Sequence, residues 1–200
     1  SNETNNNLEE YEEKRKIGEN DSYICSLIRN DSVIEFITFV NQTNLSLSTK
    51  VQTSIFETNS FLNEHHPTLI EYAAFFGSIQ IFQYLCMNGV ELSSSLWLYA
   101  VHSNNPNFFL HYIEEKNVPY DSQTYETCLY ESIKCHHNEF ANYIQTNKLK
   151  KVIHKKVFET GFQFSNYSFF TDIFYQNDTF FNLCQHNYIT VVNLLLESRK

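Results

Sequence analysis

The residues best able to do chemistry crowd together at Cys135-His136-His137, with Cys128 on the same stretch of chain. Thiolate and imidazole are zinc ligands, and together they are also the parts of a thiol nucleophile and its base. Zinc asks for four convergent ligands, however, and recognisable sites show paired short spacings such as C-x-x-C, which this chain lacks. No G-[SA]-C nucleophile context occurs either. Cys184-x-His186 and His65-His66 have no partner nearby in sequence, and Glu9, Glu10, Glu12 and Glu13 read as one solvated helical face. GxGxxG, GxxxxGK[ST], HExxH and EF-hand patterns are missing, and four glycines are few for backbone nests that cradle phosphate. The chain is therefore read as a non-enzyme with no cofactor and with no catalytic or metal residues assigned. A metal-binding or Cys/His-dependent enzyme module is the alternative.

What must position these side chains is a run of short helices. Hydrophobic residues make up 42% of the 200 and charged residues 18%, the balance of a folded globular chain. Gly and Pro number only 4 and 3, while apolar residues recur at helical spacing almost throughout, so the expected fold class is all-α. A net charge of −9 opposes nucleic acid, and the one basic cluster, KLKKVIHKK at 148–156, reads as a solvated helix face. No window is long and apolar enough for a membrane span, so membrane insertion is not expected. Five cysteines, an odd number, suit reduced thiols in a cytoplasmic protein. The N-x-S/T triplets at Asn20, Asn30, Asn41, Asn44, Asn166 and Asn177 are read as chance in an Asn-rich chain.

Expected helices cover 8–17, 22–29, 32–41 and 48–58, with Asp31 or Ser32 capping the third of these. Next, Thr68 caps a helix over 69–76, Gly77 makes the turn, and a helix over 79–87 ends at Asn88-Gly89. This hairpin recurs along the chain. Tyr99-Ala100 falls on Tyr72-Ala73 and Asn104 on Gly77, a shift of 27 residues. Further on, Thr127 falls on Thr68, His136 on Gly77 and Asn187 on Gly77, with one worn hairpin spread over 150–177. Such units bury a continuous core only by stacking.

Thr68, Ala73, Ala74, Gly77 and Gly89, with Ile81, Leu85 and Val90, resemble the ankyrin repeat, and Leu69 and Glu71 replace its Pro and His. The phrasing YAAFFGSIQIF, LWLYAVHSNN and ESIKCHHNEFANYI further resembles an expanded protist family of divergent ankyrin-repeat proteins with an N-terminal domain of unknown function. That resemblance implies an ankyrin-like solenoid. It would comprise a polar extension at 1–20, a helical cap at 21–64, and repeats at about 65–94, 95–122, 123–149, 150–177 and 178–200. It also implies a protein-interaction scaffold that holds an unidentified protein partner on its concave face. The implied partner-binding residues are Phe75, Phe76, His102, Ser103, Lys134, Cys135, Gln185 and His186. Because LLLESRK follows an apolar helix directly, the chain is expected to be part of a longer repeat protein.

Overall fold

The computed structural model describes residues 2–103, 106–149, 154–169, 181, 183–185, 188, 189, 192, 193 and 196. Among these the regular elements are helices, and the extended pairing is an isolated antiparallel bridge between Lys50 and Thr68. In order they are α1 (Asn2–Ile17), α2 (Tyr23–Arg29), α3 (Val33–Thr43), α4 (Ser60–His65), α5 (Leu69–Phe76) and α6 (Ile79–Met87). Then follow α7 (Leu96–His102), α8 (Pro106–Glu115), α9 (Ser122–Lys134), α10 (Asn138–Asn147), α11 (His154–Gln163) and a 3-10 turn at Tyr167–Phe169. The chain divides into two compact units, 1–124 and 125–200.

The first unit is built from helical hairpins laid side by side. Helix α5 packs against α2 and α7, while α6 packs against α3. Phe82 of α6 meets Phe109 and Tyr112 of α8 edge-on, with ring centroids 5.1 and 5.4 Å apart. First helices thus neighbour first helices, and second helices neighbour second helices. Ala73 and Ala74 are wholly buried, as are Ile81, Phe82 and Leu85. The two small residues let α5 approach its neighbours, and the three large ones each contribute about 1.5–3 kcal/mol by leaving water.

One expected helix does not form. Residues 48–58 contain turns and extended chain, with Val51 N–H donating to Pro67 O and Leu69 N–H donating to Thr49 O. Side chains in this stretch compete for the backbone. Ser54 Oγ accepts from Phe56 N–H, and Glu57 Oε1 accepts from Asn59 N–H. The helix comes later, as α4, where Asn59 Oδ1 caps Leu62 N–H.

The second unit holds α10, α11 and most of α9, together with the helical residues described between 181 and 196. Its core includes Cys128, Leu129, Ile133, Phe140, Ala141 and Ile144. Phe158, Phe162 and Leu183 form a further cluster against which Tyr188 and Val192 pack. Helix α9 begins at Ser122, where Asp121 Oδ1 accepts from Thr124 N–H, so Thr127 lies inside the helix and does not match Thr68 as a cap.

A single turn geometry links the hairpins. After α2, α5, α9 and α11 a residue of positive φ is followed by a closing residue whose N–H bonds back five positions: Ser32 to Leu27, Ser78 to Ala73, His137 to Ser132 and Asn166 to Gly161, while the turn after α7 runs into residues outside those described. The positive-φ residues are Asp31 (50°), Gly77 (77°), His136 (60°) and Ser165 (56°). Tyr188 N–H makes the same bond to Leu183 O. At three of these turns the closing residue's side chain reaches the preceding hairpin at the same place, namely the carbonyl four positions before that hairpin's own closing residue. Ser78 Oγ donates to Ile28 O by a short bond, Asn166 Nδ2 to Ile133 O at 2.8 Å, and Tyr188 OH to Phe162 O at 3.2 Å.

Candidate functional site

The residues implied to bind a partner sit just before these turns, and their surroundings differ between the two units. In the first unit, Phe75 is 9% exposed. Its ring lies 5.8 Å from that of Phe61 on α4 and stacks on His102 at 4.9 Å. Phe61 also stacks on His65 at 4.2 Å and meets Tyr99 edge-on at 5.1 Å. The short helix α4 therefore covers this part of the α5 and α7 surface. Phe75 belongs to a packed aromatic cluster and is no exposed anchor, and Ser103 is fully buried. Phe76 is half-buried against Tyr72 and Phe75, with the Arg29 guanidinium 6.0 Å from its ring centre.

In the second unit the corresponding positions are more open. Lys134 is exposed, pairs with Glu131 at 2.9 Å and stands 5.8 Å from the centre of the Phe164 ring. Gln185 is exposed, and His186 lies outside the described residues. Cys135 is half-buried, and burial, with Glu131 as a lesser cause, holds its thiol up at about 11. Cys128 is fully buried and held up at about 12, again chiefly by burial. Neither thiol is a ready nucleophile near neutral pH, since attack requires the thiolate. His136 has one ring nitrogen, Nε2, 3.0 Å from Phe164 O.

Thr68 and Gly77 stand at the two ends of α5. Thr68 caps α5, and Glu71 Oε2 accepts from both the Thr68 N–H (2.7 Å) and the Thr68 hydroxyl (2.8 Å). Glu71 thereby completes a capping box with Thr68. It does more, because Oε1 accepts a short hydrogen bond from Ser95 Oγ at the start of α7. Gly77 and Gly89 both have positive φ, at 77° and 75°. Asp31 does not cap its own helix. Its carboxylate instead accepts from the Gln80 and Ile81 N–H groups, each at 3.0 Å, at the start of α6.

Several linking residues carry no signal in the sequence beyond their polarity. Arg29 donates from Nη1 to Asn20 O at 2.8 Å and to Tyr72 OH at 2.9 Å, and its Nε pairs with Glu19 at 2.7 Å. Two of the sequon asparagines turn out to be internal. Asn20 donates to Gln52 O, and Asn166 donates to Ile133 O and to Asn138 Oδ1. Both are at most 2% exposed, whereas Asn30, Asn41 and Asn44 are exposed and Asn177 lies outside the described residues. A close reading of the turn register finds Ser78, Asn166 and Tyr188 once the positive-φ positions are aligned. Compared with protein-family models, with curated proteins and with solved structures, the chain matches none.

Proposed function

We propose that this chain is a non-enzymatic stacked-hairpin scaffold of ankyrin-like type, and that it binds a partner protein on the face formed by its first helices. The observation that carries this reading is the repeated side-chain bond from one hairpin's closing residue to the preceding hairpin's helix end, in the same register at Ser78, Asn166 and Tyr188. A repeated step of this kind is what a one-dimensional array requires, because each unit bonds to its neighbours through the same backbone groups. Arrays built this way present rows of side chains suited to extended contact with another polypeptide. The raised thiols of Cys128 and Cys135 weigh against a Cys/His nucleophile. In this reading Lys134 and Gln185 mark the accessible part of the face, and Phe75 and Ser103 support it from within.

The test is site-specific photo-crosslinking in cells of the source organism. A photoreactive residue is placed at Lys134 or Gln185, and controls carry it at Met87 or Ile34, which are 82% and 74% exposed. The expected result is one protein captured from the first two positions and not from the controls. Equal capture from all four positions, or none from the first two, overturns the proposal.

A further inference from the structure

Helix α4 is attached to the first unit differently from its neighbours. Six residues are too few to hold a helix in water unaided, so what fixes it must come from outside. Among the described residues, however, the hydrogen bonds of 59–66 stay within 57–66. Leu62 N–H donates to Asn59 Oδ1, Asn63 Nδ2 to Glu57 O and His66 N–H to Leu62 O, and His65 Nδ1 lies 2.9 Å from Phe61 O. By contrast, Ser95 ties α7 to α5 through Glu71, and Ser78 ties the turn after α5 to α2. What holds α4 is the apolar contact of its two buried residues, Phe61 and Leu62, since Ser60, Asn63, Glu64 and His65 are all exposed.

The Phe61 ring fills a slot whose walls belong to α5 and α7. It lies nearly parallel to the Phe75 ring at 5.8 Å, meets Tyr99 edge-on at 5.1 Å and stands 4.2 Å from the His102 ring. Offset and edge-on arrangements at such distances are those that aromatic rings prefer, so the slot suits a phenyl group in shape and in charge distribution. On its other flank α4 fits loosely. Leu62, Asn63 and His66 border a cleft with room for about one water molecule, shared with Asn20, Glu57 and Tyr72. The chain on either side of α4 is anchored independently of it. Before it, Thr58 N–H donates to Gly18 O and Glu57 Oε2 accepts from Asn20 N–H; after it, Val51 N–H donates to Pro67 O and Leu69 N–H to Thr49 O. Lifting residues 59–66 breaks none of these anchoring bonds.

We infer that α4 is a displaceable strap that keeps this slot closed, with Phe61 standing in for an aromatic side chain of the partner protein. The partner inserts a phenylalanine-like ring between Phe75, Tyr99 and His102, and α4 swings aside. Exchanging one phenyl ring for another leaves the apolar burial and the ring geometry nearly unchanged. The chain's own segment therefore competes through its high local concentration, and a partner displaces it only by adding contacts elsewhere on the first helices. The inference rests on the proposed binding of a partner protein by those helices, yet the two fail separately, since its test needs no partner.

The experiment is nuclear magnetic resonance on the isotope-labelled full chain, wild type and Phe61→Ala, with a synthetic peptide of residues 57–67 as the probe. In wild type alone, amides of Leu62, Asn63 and His66 are expected to exchange through an open state about a hundredfold more populated than that which exposes α5 and α7. Phe61→Ala is expected to stay folded, and the peptide to shift its α5 and α7 amides at a concentration about tenfold lower than wild type requires. A peptide with alanine in place of its phenylalanine is expected to shift neither protein. Three outcomes overturn the proposal. They are α4 amides that exchange only in step with those of α5 and α7, loss of the folded spectrum in Phe61→Ala, or a folded Phe61→Ala chain that the peptide leaves unshifted or shifts equally without its phenylalanine.

Discussion

Glu71 is a buried carboxylate whose two oxygens serve two elements, the cap of α5 and the start of α7. Its acceptors are charge-assisted and 9% exposed, so cutting them away leaves Thr68 and Ser95 donors unmet. Glu71→Ala is expected to lower unfolding free energy by about 2–4 kcal/mol, read by urea denaturation, with Ser95→Ala costing about 1 kcal/mol. A loss below about 0.5 kcal/mol for Glu71→Ala would show that the bonds to α7 contribute nothing. The buried thiols make a second residue-level prediction. Burial raises Cys128 from 9.0 to about 12, and it raises Tyr72 and Tyr99 as well. In the unfolded chain these groups ionise at their ordinary values, so the stability they add is complete below about pH 9 and is lost as pH climbs toward 12. Cys128 alone should account for a fall of about 1 kcal/mol by pH 10. Urea midpoints unchanged between pH 8 and pH 10 would contradict this.

At the scale of elements, the links between hairpins lie in the turns. Ser78→Ala removes one hydrogen bond to Ile28 O and is expected to cost about 1 kcal/mol. Asn166 donates to Ile133 O and to Asn138 Oδ1, so Asn166→Ala should cost about 2–3 kcal/mol. Chemical denaturation of the two variants checks the order, and a Ser78→Ala loss larger than that of Asn166→Ala would place the main tie elsewhere. The helices over 69–76 and 79–87 were legible because Thr68, Gly77 and Gly89 mark their ends and apolar residues keep strict helical spacing between. Helix α4 was not legible. Six residues give no clear period, and the Asn59 cap is one asparagine among many.

For the molecule as a whole, an array predicts that damage stays near its source. Native-state hydrogen exchange on Asn166→Ala should show lost protection in α9, α11 and the helical residues beyond 181, with amides of α5 and α6 keeping wild-type rates. Uniform loss across 1–124 would mean that the chain unfolds as one block. The candidate site was legible only in part. Resemblance picked out the positions before each turn, yet it could not tell Phe75, packed beneath Phe61, from Lys134, which faces water. That difference is set by a segment distant in sequence.

The sequence by itself determined the helical class, the ends of α5 and α6, and the recurrence of the Gly77 turn at His136, because capping and spacing are local properties of neighbouring residues. Tertiary structure alone decided that Asp31 caps α6, that Glu71 joins α5 to α7, and that α4 closes one stretch of the first-helix surface. Those outcomes depend on which groups meet across dozens of residues, where no period along the chain records the encounter.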